Sequence, residues 1–512
     1  MRADITRNHF CESLKGRSKT MIKEIIRREL FEYLTSFKFA VLMILTLALF
    51  LMNGTNFGEN YSKSFSEYSK NIEEHRRSIG LGYIVYVDRE PNSLGFCVDG
   101  GEDFQPNILR IELSGTILPG ELGGEEPVLI PPNFEKIDWM LIVKALFSLF
   151  AILLTYDAIS GEKEQGTLAL VCSNSISIGS ILLGKYLAAL ITLLIPFFIG
   201  ISIGLLTLEG QLGIFNLFSG EDFIRLGLFI ALSIIFISLF ILLGLSVSSL
   251  TKRSSISLLL LFFIWVMLLF VIPSLSGIIA DSISETPSEQ EFFIHKAEVV
   301  LSVTPWKLEQ HYKKKDPKPA LAELPSWLPP EAVNAMSGRV YQASQEMIDE
   351  LQRMLDEGAL QFASFSNEYR NAIWAKQKLA RNIARISPSA VFQYAAEKST
   401  HSGFPRELYF FSSAKDYYGG YRNYISSEVG ERIPYHRPYL SSIWTVNIDG
   451  KEITIRVPYP KLPEKDIPQF SEKKPSISIY ESLSDIALLF LWNVMVFFIG
   501  FIAFIRYDVR AQ

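Results

Sequence analysis

The chain has 512 residues, of which 49% are hydrophobic and 20% charged, and its mean hydropathy is +0.22. The apolar residues are concentrated in blocks, which excludes an ordinary soluble protein, because about 18 consecutive apolar residues are enough to cross a bilayer. A net charge of -5 argues against nucleic acid as a partner. The three cysteines, Cys11, Cys97 and Cys172, have neither metal-ligand nor C-x-x-C spacing. The composition therefore predicts an integral membrane protein.

The first predicted element is an amphipathic helix at 21–34, before any membrane span. Apolar residues at helical spacing alternate there with charged ones. The apolar positions are Ile22, Ile25, Ile26, Leu30 and Leu34. Because a span follows directly, we expect this basic helix to lie in the membrane interface.

Six apolar runs are candidate membrane spans. They cover 39–52, 140–156, 181–206, 223–250, 255–279 and 486–505. The first is the shortest, and its alternative interpretation is the apolar core of a signal peptide. A long basic leader precedes it, and no small-x-small cleavage pattern precedes Asn53-Gly54, which favours an uncleaved anchor.

Lysine and arginine residues near the span ends predict the orientation. They occur throughout the leader, after the fourth span at Lys252 and Arg253, and after the last span at Arg506 and Arg510. With six spans, these three places share one side, so we expect both termini in the cytoplasm. The predicted organisation is a leader with the interfacial helix at 1–38, span 1 at 39–52, a small extracytoplasmic region at 53–138, spans 2–5 at 139–280, a large extracytoplasmic domain at 281–482, span 6 at 483–506 and a cytoplasmic tail at 507–512.

Both extracytoplasmic insertions carry strand signals. Strand-like stretches occur at 83–87 and 108–113 of the first insertion. In the second, alternating apolar residues on both sides of Asp449-Gly450 predict a β-hairpin.

The second insertion also carries helix signals. Apolar residues at intervals of three, four and seven predict one long amphipathic helix. They are Val340, Met347, Leu351, Met354, Phe362, Phe365 and Tyr369. Ser387-Pro388 predicts an N-cap and first turn of the next helix. The predicted fold class is thus an all-α transmembrane bundle of six helices with mixed α+β extracytoplasmic insertions after spans one and five.

A polar segment between the second and third spans ends in a pattern close to a phosphate-binding loop. Gly179, Gly184 and Lys185 have the required spacing, but Tyr186 replaces the serine or threonine that would ligate magnesium. Most residues between the two glycines are apolar, and no buried strand precedes them. The sequence therefore predicts that this chain does not itself bind ATP.

A short helix at the membrane surface, at 158–172, explains more of this segment. Glu162 and Glu164 would lie near its N-terminus, where the helix dipole favours acidic residues. Gly166, Thr167 and Leu168 would form a turn with an apolar end.

The third span begins close after this segment, at Gly184 and Lys185. Gly184 would allow close approach of a neighbouring helix, and Lys185 is expected to snorkel toward the headgroups.

These residues together resemble the cytoplasmic signature of type-2 ABC exporter permeases. In that signature an aspartate is followed by Glu-x-Glu-x-Gly-Thr-Leu and then by Gly-Lys entering the next span. The matching residues are Asp157, Glu162, Glu164, Gly166, Thr167, Leu168, Gly184 and Lys185. The usual serine-proline pair is replaced by Ser173-Asn174-Ser175. The interfacial helix, the six spans and the segment 384–403 extend the resemblance, the last toward a branch associated with multicopper-enzyme maturation.

The resemblance implies a coupling helix seated on a separate ABC ATPase subunit. Glu162, Glu164, Gly166, Thr167 and Leu168 would contact that subunit. ATP and magnesium would be bound by the ATPase, and this chain would hold no cofactor, no metal and no catalytic residue. The resemblance further implies a homodimer, or a heterodimer with a second permease, in the plasma (inner) membrane. Its function would be export or extracytoplasmic work.

Other functions stay open to the sequence. One is a non-transporting membrane scaffold or assembly factor whose outer domain binds an extracytoplasmic protein. An ion-coupled carrier normally places ionisable residues near the bilayer midplane, and Lys144 in span two is the sole candidate in the sequence. A membrane-bound enzyme is disfavoured, since no Ser/His, Cys/His or paired-carboxylate constellation can be placed together.

Overall fold

The computed structural model describes most of the chain. The described residues are 22–79, 85–102, 105–111, 116–119, 136–168, 178–284, 286–288, 290–292, 294–295, 298, 320–321, 340–342, 345–429, 443–448, 451–456, 468–472 and 479–506. Residues 169–172 of the expected short helix, the expected hairpin turn at 449–450 and the tail at 507–512 lie outside them.

Within the described residues, six helices are long and apolar enough to cross a membrane, and we number them spans 1 to 6. They are Phe37–His75, Trp139–Glu164, Gly179–Leu212, Gly220–Leu250, Ser254–Ile283 and Ser482–Ile505. The six expected spans all fall within them. Other helices are α1 (22–34), α2 (Ser160–Glu164, after a turn at the end of span 2), α3 (Ile214–Leu217), α4 (Gln345–Ala384), α5 (Pro388–Thr400) and α6 (Gly403–Val429).

Span 4 lies at the centre of the bundle, in contact with spans 2, 3, 5 and 6. Its Gly244 faces Thr155 of span 2, and Gly500 of span 6 faces its Ser246, so closely that an added Cβ would overlap either side chain. Small residues allow this approach of helix backbones, which is how membrane helices gain packing energy. We call the end of the bundle with α1 and α2 the terminal end, and the other the insertion end.

Span 1 continues far beyond the expected boundary at Met52. One uninterrupted helix runs through Phe37–Ile79, 43 residues and about 65 Å long, twice the thickness of the hydrocarbon core. Gly54 and Gly58 lie within this helix, against side chains of span 3. The far end of the helix is held to the first sheet by His75, whose Nδ1 lies 2.5 Å from a carboxylate oxygen of Asp88.

The two insertions pack together at the insertion end, and we call the packed part the insertion unit. Strands β1 (Val85–Asp88), β2 (Ile108–Ile111) and β3 (Ile117–Pro119) form an antiparallel sheet in the order β1-β2-β3. Its buried face meets α6 in one core, made of Val85, Val87, Leu109, Ile111, Ile117, Phe410, Phe411, Ala414 and Tyr421. A buried arginine, Arg406, joins both insertions through Glu102, 2.6 Å away, Glu472 and the carbonyl of Glu90. Its location predicts that neither insertion folds alone.

One carboxyl group in the insertion unit makes its stability depend on pH. Burial raises the pKa of Glu407, opposed by the hydrogen bond from Trp374 Nε1 (3.3 Å) and by Arg89 and Arg370. Because the pKa is higher in the folded state, the folded chain binds the proton more tightly, and stability falls as pH rises through the window above the ordinary carboxyl value. We expect Glu407→Gln, which keeps the acceptor for Trp374, to raise the apparent melting temperature at pH 8. The gain should vanish near pH 4, and thermal unfolding at a series of pH values measures it. A gain that grows as pH falls would contradict this assignment.

A second sheet belongs to the later insertion. Strands β4 (Ala320–Leu321), β5 (Val340–Gln342), β6 (Ile443–Ile448) and β7 (Lys451–Arg456) are ordered β4-β5-β7-β6. Strands β6 and β7 pair antiparallel up to Ile448 opposite Lys451, in agreement with the expected hairpin. Val340, expected on the long helix, lies on β5 instead, and α4 begins at Gln345. The spacing of apolar residues alone could not show that Val340 belongs to a strand and not to the helix, because β5 pairs with a strand more than a hundred residues away.

Helix α5 begins as expected but lies elsewhere than expected. Ser387 is its N-cap, with its hydroxyl accepting from the amide of Ser389, and Pro388 follows at the first position. We expected this segment in an extracytoplasmic domain, yet the ring of Phe392 stacks on Phe236 of span 4 at 4.4 Å. Phe236 lies about 24 Å along span 4 from Gly220. The length of this 31-residue helix exceeds the 30 Å thickness of a hydrocarbon core by only about 16 Å. Phe236 therefore lies inside the core, whichever end of the helix extends beyond it. Helix α5 therefore lies at membrane depth.

Candidate functional site

The site is built around α2, which follows span 2 at the terminal end. The regular helix of span 2 ends at Thr155, and α2 covers Ser160–Glu164 at the end of that span. Ser248, near the end of span 4, accepts hydrogen bonds from the amides of Ile159 (3.0 Å) and Ser160 (2.9 Å). The first amides of a helix have no partner inside it, so Ser248 caps α2 from a neighbouring span and fixes it to the bundle.

The next residues of α2 connect to two further helix ends. Lys163 is buried, and its ammonium donates to the carbonyls of Ser249 and Thr251, where span 4 ends. A cation at a helix C-terminus satisfies free carbonyls and the dipole. Glu164 accepts from the amide and the hydroxyl of Ser254, both at 3.1 Å, at the start of span 5. Thus α2 bridges the end of span 4 to the start of span 5.

Lys185 connects α2 to α1. Its ammonium lies 2.8 Å from Oε1 of Glu29 on α1 and 2.8 Å from Oε1 of Glu162 on α2, and its side chain is 4% exposed. The expectation that Lys185 snorkels into the headgroups is therefore wrong. The two carboxylates accept charge-assisted hydrogen bonds from the buried ammonium, so the side chain does not need to reach water at the headgroups. One cation thus holds α1, α2 and span 3 together.

Gly184 sits beside this cation, where α1 crosses span 3. A Cβ added there would lie 2.7 Å from Cγ2 of Ile25, so only glycine permits the crossing. The expected close approach at Gly184 is confirmed, and the neighbour is α1.

We expect Gly184→Ala to destabilise the terminal end by about 1–3 kcal/mol, because an extra methyl in a packed contact forces the helices apart. Adding Ile25→Ala should restore most of the loss. Gly179→Ala is the matched control, since its Cβ would be 3.6 Å from Phe501, an ordinary contact. Apparent melting temperatures in detergent give the comparison, and equal values for G184A and G179A would refute the assignment.

The residues after α2 form a tight turn, as expected from Gly166. Gly166 has φ of +72°, the left-handed conformation that ends helices and that glycine adopts without strain. The Thr167 hydroxyl donates to the carbonyl of Glu162 at 3.3 Å, and Leu168 is buried.

The five residues expected to contact an ATPase thus lie within one compact element, but they do not share a face. Glu162 and Leu168 point into the bundle, whereas Glu164 and Gly166 are exposed and Thr167 is half-buried. The exposed surface of the site is the ridge from Glu164 to Thr167, which also includes Gln165. The face available to a partner is therefore narrower than the sequence suggested.

Among the residues of this site that sequence reasoning missed are Glu29, Ser248 and Ser254. Only Glu29 left a signal, since it falls on the same helical face as Ile22, Ile25 and Ile26, where an unpaired carboxylate would be unfavourable. The serines resemble any other hydroxyl near a span end, and their role follows from contacts across the bundle.

A second polar contact concerns Lys144 of span 2. Its ammonium donates to Oε1 of Gln393 on α5 at 3.1 Å, and the residue is buried. The charge of Lys144 is therefore held against α5.

These features define a multi-pass membrane protein in which a short helix, α2, is fixed to spans 3, 4 and 5 at the terminal end of the bundle. Residues 24–509 match the family model of the ABC-2 family transporter protein. Because the match covers most of the 512 residues, the chain belongs to the ABC-2 transporter family. No match was found among curated proteins. Family membership implies, in general terms, an ABC ATPase as partner.

Proposed function

We propose that this chain is the permease subunit of an ABC transporter and that a separate ATPase subunit docks on the ridge from Glu164 to Thr167. The observation that carries the proposal is the attachment of α2: its side chains and amides bond to the end of span 4, the start of span 5 and Lys185 of span 3. Lys185 in turn pairs with Glu29 of α1. A connecting loop with no mechanical role has little use for attachment to three separate spans.

The attachments describe how a push on α2 would act. Ser248 and Lys163 link it to span 4, Glu164 links it to span 5, and Lys185 links it to span 3. Because the buried bonds of Ser248, Lys163 and Lys185 resist separation, α2 would move spans 3 and 4 as a unit. The exposed bond of Glu164 to span 5 would add to this attachment. ATP-driven closure of two ATPase subunits would then rock the transmembrane halves.

The remaining parts of the proposal follow from charge and family. Lysine and arginine at the terminal end, among them Lys252, Arg253 and Arg506, support a cytoplasmic location of that end in the inner membrane, with the insertions as mixed α+β extracytoplasmic regions. The working form would be a homodimer or a heterodimer with a second permease. ATP and magnesium would bind to the ATPase, and this chain would be no enzyme itself.

The test introduces an arginine at each of two exposed positions. Gln165→Arg changes the ridge, and Glu59→Arg is its control on span 1 at the opposite end of the bundle. We expect Q165R to reduce co-purified ATPase by at least about tenfold, which corresponds to about 1.4 kcal/mol of binding free energy, and E59R to leave it unchanged. Stoichiometric, actively hydrolysing ATPase with Q165R would reject docking at α2.

A further inference from the structure

Helix α5 is buried on all sides although it interrupts an insertion that we expected outside the membrane. It packs on spans 4 and 6 and on the middle of span 5. Most of its residues are buried, including Ser389, Glu397 and Thr400. A polar helix at this depth requires partners for each hydrogen-bonding group, and these partners identify what the helix is attached to.

The beginning of α5 is attached to an irregular part of span 5. Both Ser387 and Ser389 donate to the carbonyl of Leu268, the latter at 2.7 Å. Leu268 lies in a π-helical stretch, Met267–Val271. Such stretches depart from regular hydrogen bonding and mark functional positions in helices.

The middle of α5 is attached to a second irregular stretch. Lys144, which binds Gln393, lies in the π-helical part of span 2, Ile142–Phe147. Gln393 in turn donates to Glu397 at 3.0 Å, and Glu397 pairs with Arg381 of α4 at 2.7 Å. Both π-helical stretches of the described spans thus contact the same short helix.

The end of α5 is attached to the insertion unit. His401 and Gly403 take left-handed backbone conformations that turn the chain directly into α6. Asn92, between β1 and β2, donates to the carbonyl of His401 at 3.3 Å. The turn and the hydrogen bond from the first insertion therefore restrict movement of α5 relative to the insertion unit.

We infer that α5 is a lever that transmits movement of spans 2, 4, 5 and 6 to the insertion unit. This function rests on the proposed coupling to an ATPase and extends it. Part of the ATP-driven movement of the spans would displace the insertion unit. The closely packed rings of Phe236 and Phe392 carry the movement of span 4, since packed interiors transmit displacement.

Hydrogen exchange of the purified chain tests the lever without any ATPase. Phe236→Ala removes the ring that α5 stacks on, and Phe240→Ala is its matched control, an equally buried ring of the same span one turn further from the insertion end. We expect F236A to raise amide exchange in α6 by at least about threefold through local opening, and F240A to leave α6 unchanged. If F236A folds poorly, Phe236→Leu replaces it in the test, because leucine fills more of the ring's volume than alanine does. We then expect a smaller rise in amide exchange of α6.

Unchanged exchange of α6 in both Phe236 variants would overturn the lever, and so would an equal rise in F240A. A second measurement uses the chain with its co-purified ATPase. ATP with magnesium should alter α6 exchange in the wild type; no change during active hydrolysis overturns the lever while the proposed function stands. Absence of any co-purified ATPase overturns the proposed function and leaves the Phe236 result to decide on the lever.

Discussion

Lys185→Met is expected to destabilise the terminal end by about 3–5 kcal/mol, the range found when one partner of a buried ion pair is removed. The reason is that Glu29 and Glu162, both 2.8 Å from the ammonium, would be left as neighbouring carboxylates without a cation. We expect α1 to detach from span 3, with faster hydrogen exchange of its amides and a lower melting temperature. ATP-dependent activity with a bound ATPase should fall with it.

Two further variants separate this effect from a general loss of charge. Lys70→Met removes an exposed pair with Glu74, at 3.8 Å, and should change stability by less than about 1 kcal/mol. In the triple variant of K185M with Glu29→Gln and Glu162→Gln, no unpaired charge remains, and much of the lost stability should return. If K185M proves as mild as the Lys70 variant, Lys185 does not hold these helices together.

Asp485→Asn is expected to be equally severe at the other end of the bundle. Asp485 begins span 6, its side chain is 0% exposed, and it lies 2.7 Å from Arg385 and 2.8 Å from Lys398. Losing its charge leaves two cations in a site of low dielectric, which costs about 3–5 kcal/mol. The loop before α5 and the last turn of α5 would both lose their ion pair with span 6. Thermal unfolding and hydrogen exchange of α5 measure the effect.

Two control variants separate the loss of this buried charge from other effects of the substitution. Asp485→Glu retains the charge and should recover part of the stability. Glu221→Gln alters an exposed carboxylate 3.8 Å from Arg225 at the same end of the bundle. We expect it to change the free energy of unfolding by less than about 1 kcal/mol. Exchange of α5 that is no faster in D485N than in E221Q would show that Asp485 does not anchor this helix.

Several elements of the fold followed from local pattern. The six spans were readable because a stretch of apolar residues long enough to cross a bilayer needs no tertiary partner to be recognised. The start of α5 at Ser387-Pro388, the pairing of β6 with β7 and the turn at Gly166 were equally readable. Each depends on a residue type whose backbone preference acts within a few positions.

The candidate site was readable in its position but not in its arrangement. The acidic segment after span 2 was identified from the sequence, whereas the inward direction of Glu162 and the capping of span 5 by Glu164 were not. Direction on a helix as short as α2 depends on which neighbours offer charges and free amides, and those neighbours lie far along the chain.

The sequence by itself thus determined the spans, the helix and turn signals and the family resemblance, because these arise from short-range preferences and from hydropathy. Only the tertiary structure decided that Lys185 is paired, that Arg406 joins the two insertions and that α5 enters the bundle. Each of the three depends on at least one contact between residues more than a hundred positions apart, for which the local pattern carries no information. An amphipathic helix reads the same in sequence whether water, lipid or other helices cover it, and the partners that satisfy its polar groups decide where it lies.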